Sequence, residues 1–189
     1  MLNKIIKEAL LEAAIEIDFL KNSIVALSKN SLELQISFIS ENGKDILGYI
    51  RAKSLNGSDC FSVKTVVADK GYGPLLYEFA MMSIYPSGVC PDNSGLSTSK
   101  AINVWNKFVE RIDIEKLKVP PLALGAIRSN EEINKTMFRK PPSNSFTEFL
   151  AKSDDILESH AERLNVQVNS LKKEYFMDGA QKFKDDYNR

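Results

Sequence analysis

The sequence predicts an α+β domain in which a mostly antiparallel, twisted sheet is flanked by helices. Apolar residues alternate with polar residues in several short segments, and elsewhere they recur at the three- and four-residue spacing of helices. Asparagine–glycine pairs at Asn42-Gly43 and Asn56-Gly57 separate successive extended segments, and such pairs favour tight turns between antiparallel strands. A length of 189 residues fits one domain with a helical appendage.

Four segments are predicted as strands. Leu32 to Phe38 alternates apolar and polar side chains, as a half-buried strand does, and Ile24 to Leu27 is a candidate short strand before it. Ile46 to Ala52 is the returning strand after the first turn. Cys60 to Val67 follows the second turn and is rich in valine, which favours extended structure. Three strands joined by two short turns make an antiparallel meander.

Helical spacing defines most of the other elements in the first two thirds of the chain. We expect an amphipathic helix at residues 2–20 and a strongly apolar, buried helix from Leu75 to about Tyr85. A short extended piece at Gly88 to Pro91 follows. A second amphipathic helix begins near Ser97 to Ser99, which offer side-chain caps. Lys116 to Leu124 is expected to hold one more strand.

The last third of the chain has a weaker pattern. Arg128 to Ser145 is polar and is predicted as a long loop. Two helices are expected after it, one from Ser145 to Leu164 and one from about Asn169. These elements divide the chain into a domain at residues 1–125 and a segment at residues 126–189, a loop and helical extension that packs on the domain or serves as an interface.

The composition excludes several classes of site. The chain has 25 lysine and arginine residues against 25 aspartate and glutamate residues, so no basic excess favours a nucleic-acid partner. His160 is the single histidine, and we expect it on the solvated face of a charged helix. Cys60 and Cys90 form no CxxC pair, so we expect no metal site and interpret both as core thiols in a reducing compartment.

Charged side chains interrupt the first twenty residues, so we expect no secretory signal. These side chains are Lys4, Lys7, Glu8, Glu12, Glu16 and Asp18. No window approaches the roughly 18 apolar residues that a membrane span needs. We therefore expect a cytoplasmic protein with no membrane partner.

The segment between the meander and the buried helix carries most of the functional information. Its sequence from Ala68 to Gly73 is Ala-Asp-Lys-Gly-Tyr-Gly, followed by Pro74, which suits the first turn of a helix. This segment resembles the GNAT superfamily of N-acetyltransferases, whose loop reads Gln/Arg-x-x-Gly-x-Gly/Ala. Ala68 stands where the family has glutamine or arginine. The similarity covers about Leu32 to Glu110.

Three further features resemble the GNAT-like proteins of bacteriophages. They are the run Gly71 to Tyr77, the pair Pro91-Asp92, and a serine-containing cap followed by Val104-Trp105. A phage origin would place the protein in the host cytoplasm. Trp105 lies in the apolar stripe of its helix and is expected in the core.

The resemblance implies that acetyl-CoA is the cofactor and that its pyrophosphate lies at the start of the buried helix. Unpaired N–H groups and the helix dipole attract phosphate there, and glycine lets the backbone approach closely. The residues that the resemblance places against the cofactor are Val67, Lys70, Gly71, Tyr72, Gly73 and Leu75.

The resemblance also implies direct acetyl transfer to an acceptor, either a small amine or a protein lysine. Such transfer needs a base, a donor to the thioester oxygen, and an acid. The strand Cys60 to Val67 contains no glutamate, and the helix at residues 100–110 contains no tyrosine. Asp92 is the candidate base, and Tyr85 or Ser97 is the candidate proton donor. Each has a structural alternative: Asp92 as a turn residue, Tyr85 as an aromatic lid on the core, and Ser97 as a helix cap.

A second hypothesis belongs to a different class. The fold could serve as a catalytically inactive GNAT-like binding module, such as a phage accessory or virion-associated protein. Its protein partner would contact the carboxy-terminal helices. The alanine at Ala68 and the missing glutamate base favour this alternative.

Overall fold

A computed structural model describes residues 22–94 and 97–187. The helix predicted at residues 2–20 lies outside the described residues. Among the described residues, no helix is both long and apolar enough to cross a bilayer.

The strands are β1 (Ser23–Lys29), β2 (Glu33–Ser40), β3 (Ile46–Ser54), β4 (Cys60–Ala68), β5 (Gly88–Cys90), β6 (Glu115–Lys118) and β7 (Thr136–Arg139). The helices are α1 (Tyr72–Ile84), α2 (Ser99–Glu110), α3 (Pro121–Leu124), α4 (Asn144–Leu164) and α5 (Val168–Tyr187), with a short 3-10 helix at Glu132–Lys135.

The seven strands form one sheet in the order β1-β2-β3-β4-β5-β7-β6. Every neighbouring pair is antiparallel except β4 and β5, which are parallel. Parallel neighbours cannot be joined by a tight turn, and α1 supplies the crossover between them. The predicted α+β class and the predicted meander are confirmed.

One face of the sheet packs against α1. All ten residues from Leu75 to Ile84 are buried, as expected for a helix that is apolar on most of its surface. Phe38 on β2 contacts Phe79 with ring centroids 4.9 Å apart. Trp105 on α2 is 2% exposed and lies edge-on to Tyr77, with ring centroids 4.7 Å apart, so its prediction as a core residue is confirmed.

The opposite face packs against α4 and α5. Tyr49 and Val67 belong to this second core, together with Leu157 of α4 and Phe176 of α5. Helix α5 lies very close to β3 because it carries Gly179 at the crossing. A Cβ added to Gly179 would lie 2.7 Å from the Cβ of Tyr49. The carboxy-terminal helices are therefore part of the packed structure.

The segment Arg128 to Ser145, predicted as a loop, contains the 3-10 helix and β7. That prediction is wrong. Strand β7 lies between β5 and β6, so the sheet continues past residue 125. Four residues are too few to show a strand period in a polar sequence. The strand forms because Met137 and Phe138 are buried in two separate cores.

His160 is 8% exposed, and its prediction as a solvated residue is wrong. It packs against the turn between β2 and β3, where Gly43 adopts a positive φ of 77°. A Cβ added to Gly43 would lie 2.9 Å from His160 Nδ1 and equally close to the hydroxyl of Tyr175. The charged neighbours of His160 along α4 are exposed, and they hide the burial of this position from a sequence pattern.

Candidate functional site

The loop between β4 and α1 lies where the sequence predicts the phosphate site. The backbone N–H of Asp69 donates to the carbonyl of Leu47 at 2.8 Å, and that of Tyr72 donates to the carbonyl of Asp69 at 3.1 Å. Gly71 is the residue before α1 and has a φ of 99°. A side chain would strain this left-handed backbone, so the turn requires glycine.

The N-cap residue of α1 is Gly71, which has no side chain to accept a hydrogen bond from the helix, and the first turn of α1 contains no acid. Pro74 has no N–H to satisfy. A Cβ added to Gly73 would come no closer than 4.0 Å to a neighbouring atom, so there is room for a ligand to approach the backbone. These features fit a pyrophosphate group.

The six residues expected to bind the cofactor differ in exposure. Lys70 and Gly71 are exposed, and Tyr72 and Gly73 are half-buried. Leu75 is buried in the core under α1. The side chain of Val67 is buried in the core against α5, so only its backbone could contact a ligand that lies along the edge of β4.

Asp69 forms an ion pair with a residue from the carboxy-terminal helix. Its Oδ1 lies 2.7 Å from Nζ of Lys182, which also donates to the carbonyl of Ile46 at 2.6 Å. The Asp69 carboxylate is therefore partly compensated. An open depression of about 470 Å³ beside this pair is lined mainly by acids. Its lining residues are Asp69, Asp178, Gln181, Lys182, Asp185 and Asp186.

Beside the loop, the edge of β4 facing β5 is only partly covered. Residues Cys60–Ser62 pair with Gly88–Cys90, whereas β4 continues to Ala68. Among the described strands, none pairs with residues 63–68 on this side. We call this opening, between residues 63–68 and the chain after β5, the wedge. An uncovered strand edge offers backbone donors and acceptors to an extended ligand.

A polar cluster lies at the narrow end of the wedge, just beyond the last paired residues of β4 and β5. Nζ of Lys64 lies 2.7 Å from Oδ1 of Asp92 and also donates to Oδ1 of Asn93. The hydroxyl of Ser94 donates to Asp92. Burial would raise the pKa of Asp92, but the hydrogen bonds from Lys64 and Ser94 outweigh it and lower that pKa below its usual value. A paired carboxylate with a lowered pKa is a weak general base.

The structure does not bring Tyr85 to the loop. Tyr85 follows the carboxyl end of α1 and is 41% exposed, and the 13 residues of α1 separate it from Gly71. That helix is about 20 Å long. Ser97 is half-buried, and its neighbour Thr98 caps α2 by accepting from the backbone of Ala101 at 3.3 Å. Asp92 is the candidate catalytic residue that the structure joins to β4, through its ion pair with Lys64.

Both thiols are unpaired and fully buried, which agrees with their interpretation as core residues. A hydrogen bond with Cys60 raises the pKa of Cys90, and burial raises it further. A thiol with a raised pKa holds little thiolate, so Cys90 is not prepared to act as a nucleophile.

Sequence reasoning missed two lysines of this region. Lys64 is a charge within a valine-rich strand, and it lies where the β3–β4 register shifts between Arg51 and Ala52. The single charge in this otherwise uncharged strand was therefore a sequence signal that could have identified Lys64 as a site residue. The sequence around Lys182 offered no such signal. Lys182 and Asp69 are 113 positions apart in the sequence, and only the folded structure brings them together.

Comparison of the chain with protein-family models, curated proteins and solved structures gives no match.

Proposed function

We propose that the chain is an acetyl-CoA-dependent N-acetyltransferase with a GNAT-like fold, acting on a small amine or a protein lysine. One observation carries the proposal. Among the described strands, none pairs with the β4 edge beyond Ser62 on the β5 side, and this edge leads directly to the Gly71 turn and the amino terminus of α1. An extended, anionic ligand needs such a combination, because its chain can pair with the strand edge while its phosphates lie at the helix.

The length of the edge supports an extended ligand. Residues 63–68 span about 20 Å at the usual rise of a strand. A pantetheine arm along this edge would place the pyrophosphate of acetyl-CoA at Lys70 to Gly73. Its thioester would then lie within the wedge beside β4, where a backbone N–H near Val66 or Val67 is the candidate donor to the thioester oxygen.

Direct transfer forms an N–C bond to the acceptor and breaks the C–S bond of the thioester. The acceptor nitrogen loses a proton, and the leaving thiolate gains one. Asp92 is the candidate base, and its pairing with Lys64 opposes that role while the pair lasts. Acetyl-CoA would supply the acyl group when bound, and the loop at Lys70 to Gly73 and the edge of β4 would orient it.

The first experiment is a thermal shift of the full chain with acetyl-CoA, CoA and desulfo-CoA. A ligand at a hundred times its Kd adds about 2.7 kcal/mol of stability. For a protein of this size, that raises Tm by roughly 5–10 °C. Gly71→Glu should abolish the shift. Gly57→Glu is the matched control, because Gly57 also has a positive φ, of 71°, with no atom within 4 Å of an added Cβ. A folded parent that shows no shift would reject the proposal.

A catalytically inactive GNAT-like binding module is the second candidate function. The acidic depression on the α5 side of the loop and the pairing of Asp92 favour it. Thiol release from acetyl-CoA in the presence of mixed amines distinguishes the two functions. The buried Cys60 and Cys90 should contribute little background to a thiol assay. A thermal shift without thiol release would support the binding module.

A further inference from the structure

The strands that border the wedge remain connected beyond the end of their backbone pairing. Ladder pairing of β4 with β5 ends at Ser62 and Cys90. The hydroxyl of Ser62, which is fully buried, then accepts from the backbone N–H of Asn93 at 3.0 Å and donates to the carbonyl of Pro91 at 3.2 Å. Side-chain hydrogen bonds therefore take over where the ladder stops.

The Lys64–Asp92 ion pair crosses the same gap one step further along β4. Its side chains are 30% and 24% exposed, so water only partly screens the pair. Asn93 is anchored on its far side, because its side-chain amide donates to the carbonyl of Ala126 and its own carbonyl accepts from Arg128, both at 2.8 Å. The flexible Lys64 side chain is therefore the part of this contact that can move at least cost.

We propose that the Lys64–Asp92 ion pair is a latch that holds the narrow end of the wedge closed, and that a ligand lying along β4 opens it. A ligand that pairs with residues 63–68 must share the gap with the Lys64 side chain. When Lys64 swings away, Asp92 keeps the hydrogen bond from Ser94 but loses its cation. Opening would thus release the carboxylate at the place where a transferred proton is needed.

The latch can be tested without any ligand by hydrogen–deuterium exchange. Lys64→Met and Asp92→Asn should each speed exchange of the Asn93 amide, which donates to Ser62 across the gap, about fivefold, the ratio that corresponds to a pair worth about 1 kcal/mol. Lys172→Met is the matched control, because it breaks the surface pair between Lys172 of α5 and Asp154 of α4. It should leave exchange of the Asn93 amide unchanged. About 1 M salt should speed exchange of this amide in the parent but not in Lys64→Met.

The ligand half of the proposal rests on the proposed function. Acetyl-CoA should bind Lys64→Met about fivefold more tightly than the parent, because the variant has no latch to open. Faster exchange with no acetyl-CoA binding to either protein would support the latch and reject the proposed function. Equal exchange in the parent and both variants would overturn the latch, whether or not acetyl-CoA binds. Faster exchange with equal acetyl-CoA affinity would overturn the ligand half.

Discussion

Glu78 is the most deeply buried acid of the described chain and offers a sharp test of what holds α1 in place. It is 3% exposed and accepts hydrogen bonds from the guanidinium of Arg111 and the ammonium of Lys140. Arg111 follows α2 and Lys140 follows β7, so the carboxylate joins three elements. Glu78→Gln keeps the size of the side chain and removes its charge.

The stability lost in Glu78→Gln depends on how exposed the two cations that contact Glu78 are. Removing one member of a fully buried ion pair costs about 3–5 kcal/mol. Here Arg111 and Lys140 are 22% and 15% exposed, and Asp113 remains 3.1 Å from Lys140. Water and Asp113 therefore recover part of the loss, and we expect a destabilisation of about 2 kcal/mol. For a protein of this size, Tm should fall by about 4–8 °C.

Urea unfolding monitored by circular dichroism, together with a thermal scan, measures the loss. Asp113→Asn is the control, because the Asp113 side chain is 45% exposed and joins the same two cations. It should cost less than about 1 kcal/mol. If the two variants lose equal stability, or if Glu78→Gln loses less than its control, burial of the carboxylate does not determine the energy and the reasoning is refuted.

Three further predictions concern the carboxy-terminal helices. Gly179→Ala should destabilise the protein by about 1–2 kcal/mol in urea unfolding, because the added Cβ overlaps Tyr49 and outweighs the gain in helix propensity; a stabilised variant would contradict this. Burial lowers the pKa of His160 below its ordinary 6.5, and a nearby arginine lowers it further. The unfolded chain therefore binds more protons below about pH 6.5, so stability should fall as the pH drops from 7 to 5. His160→Gln should flatten this slope, and an equal slope would be contrary evidence. Lys182→Met leaves Asp69 uncompensated, so acetyl-CoA affinity in calorimetry should fall about fivefold, whereas an unchanged affinity would place the phosphates elsewhere.

Sequence patterns predicted the features of this fold that depend on neighbouring residues. The meander followed from two asparagine–glycine turns, and Gly43 and Gly57 do have the positive φ that those turns need. Helix α1 was predicted to be buried because apolar residues cover most of its surface, and the structure buries residues 75–84. The glycine turn between β4 and α1 was likewise predicted from a strand, a glycine and a helix start in close succession; the left-handed backbone of Gly71 is seen only in the structure.

Features that depend on distant residues could not be predicted in this way. Strand β7 is identified by its partners in the sheet, since four residues carry no visible period. His160 is buried by a turn that precedes it by more than a hundred residues. Asp92 pairs with Lys64 of β4, which is distant from it in sequence. Despite the partial burial of Asp92, this ion pair lowers its pKa and so makes the candidate base weaker.

The same distinction bears on the two candidate functions. The loop at Gly71 supplies a locally encoded attraction for phosphate, since a helix terminus stabilises an anion by about 0.3–1 kcal/mol near the surface. Helix α5 adds acids on one side of that loop, and Lys182 is the single cation among the residues that line the depression. An anionic ligand that enters from the α5 side would pass four acids, which repel it, before it reaches the loop. One that enters along β4 would meet the helix terminus first, with α5 packed on the sheet face behind it. If the proposed function is correct, the wedge is the route by which a phosphate-bearing ligand would reach the loop, and the Lys64–Asp92 pair at its narrow end would control the access of that ligand to Asp92.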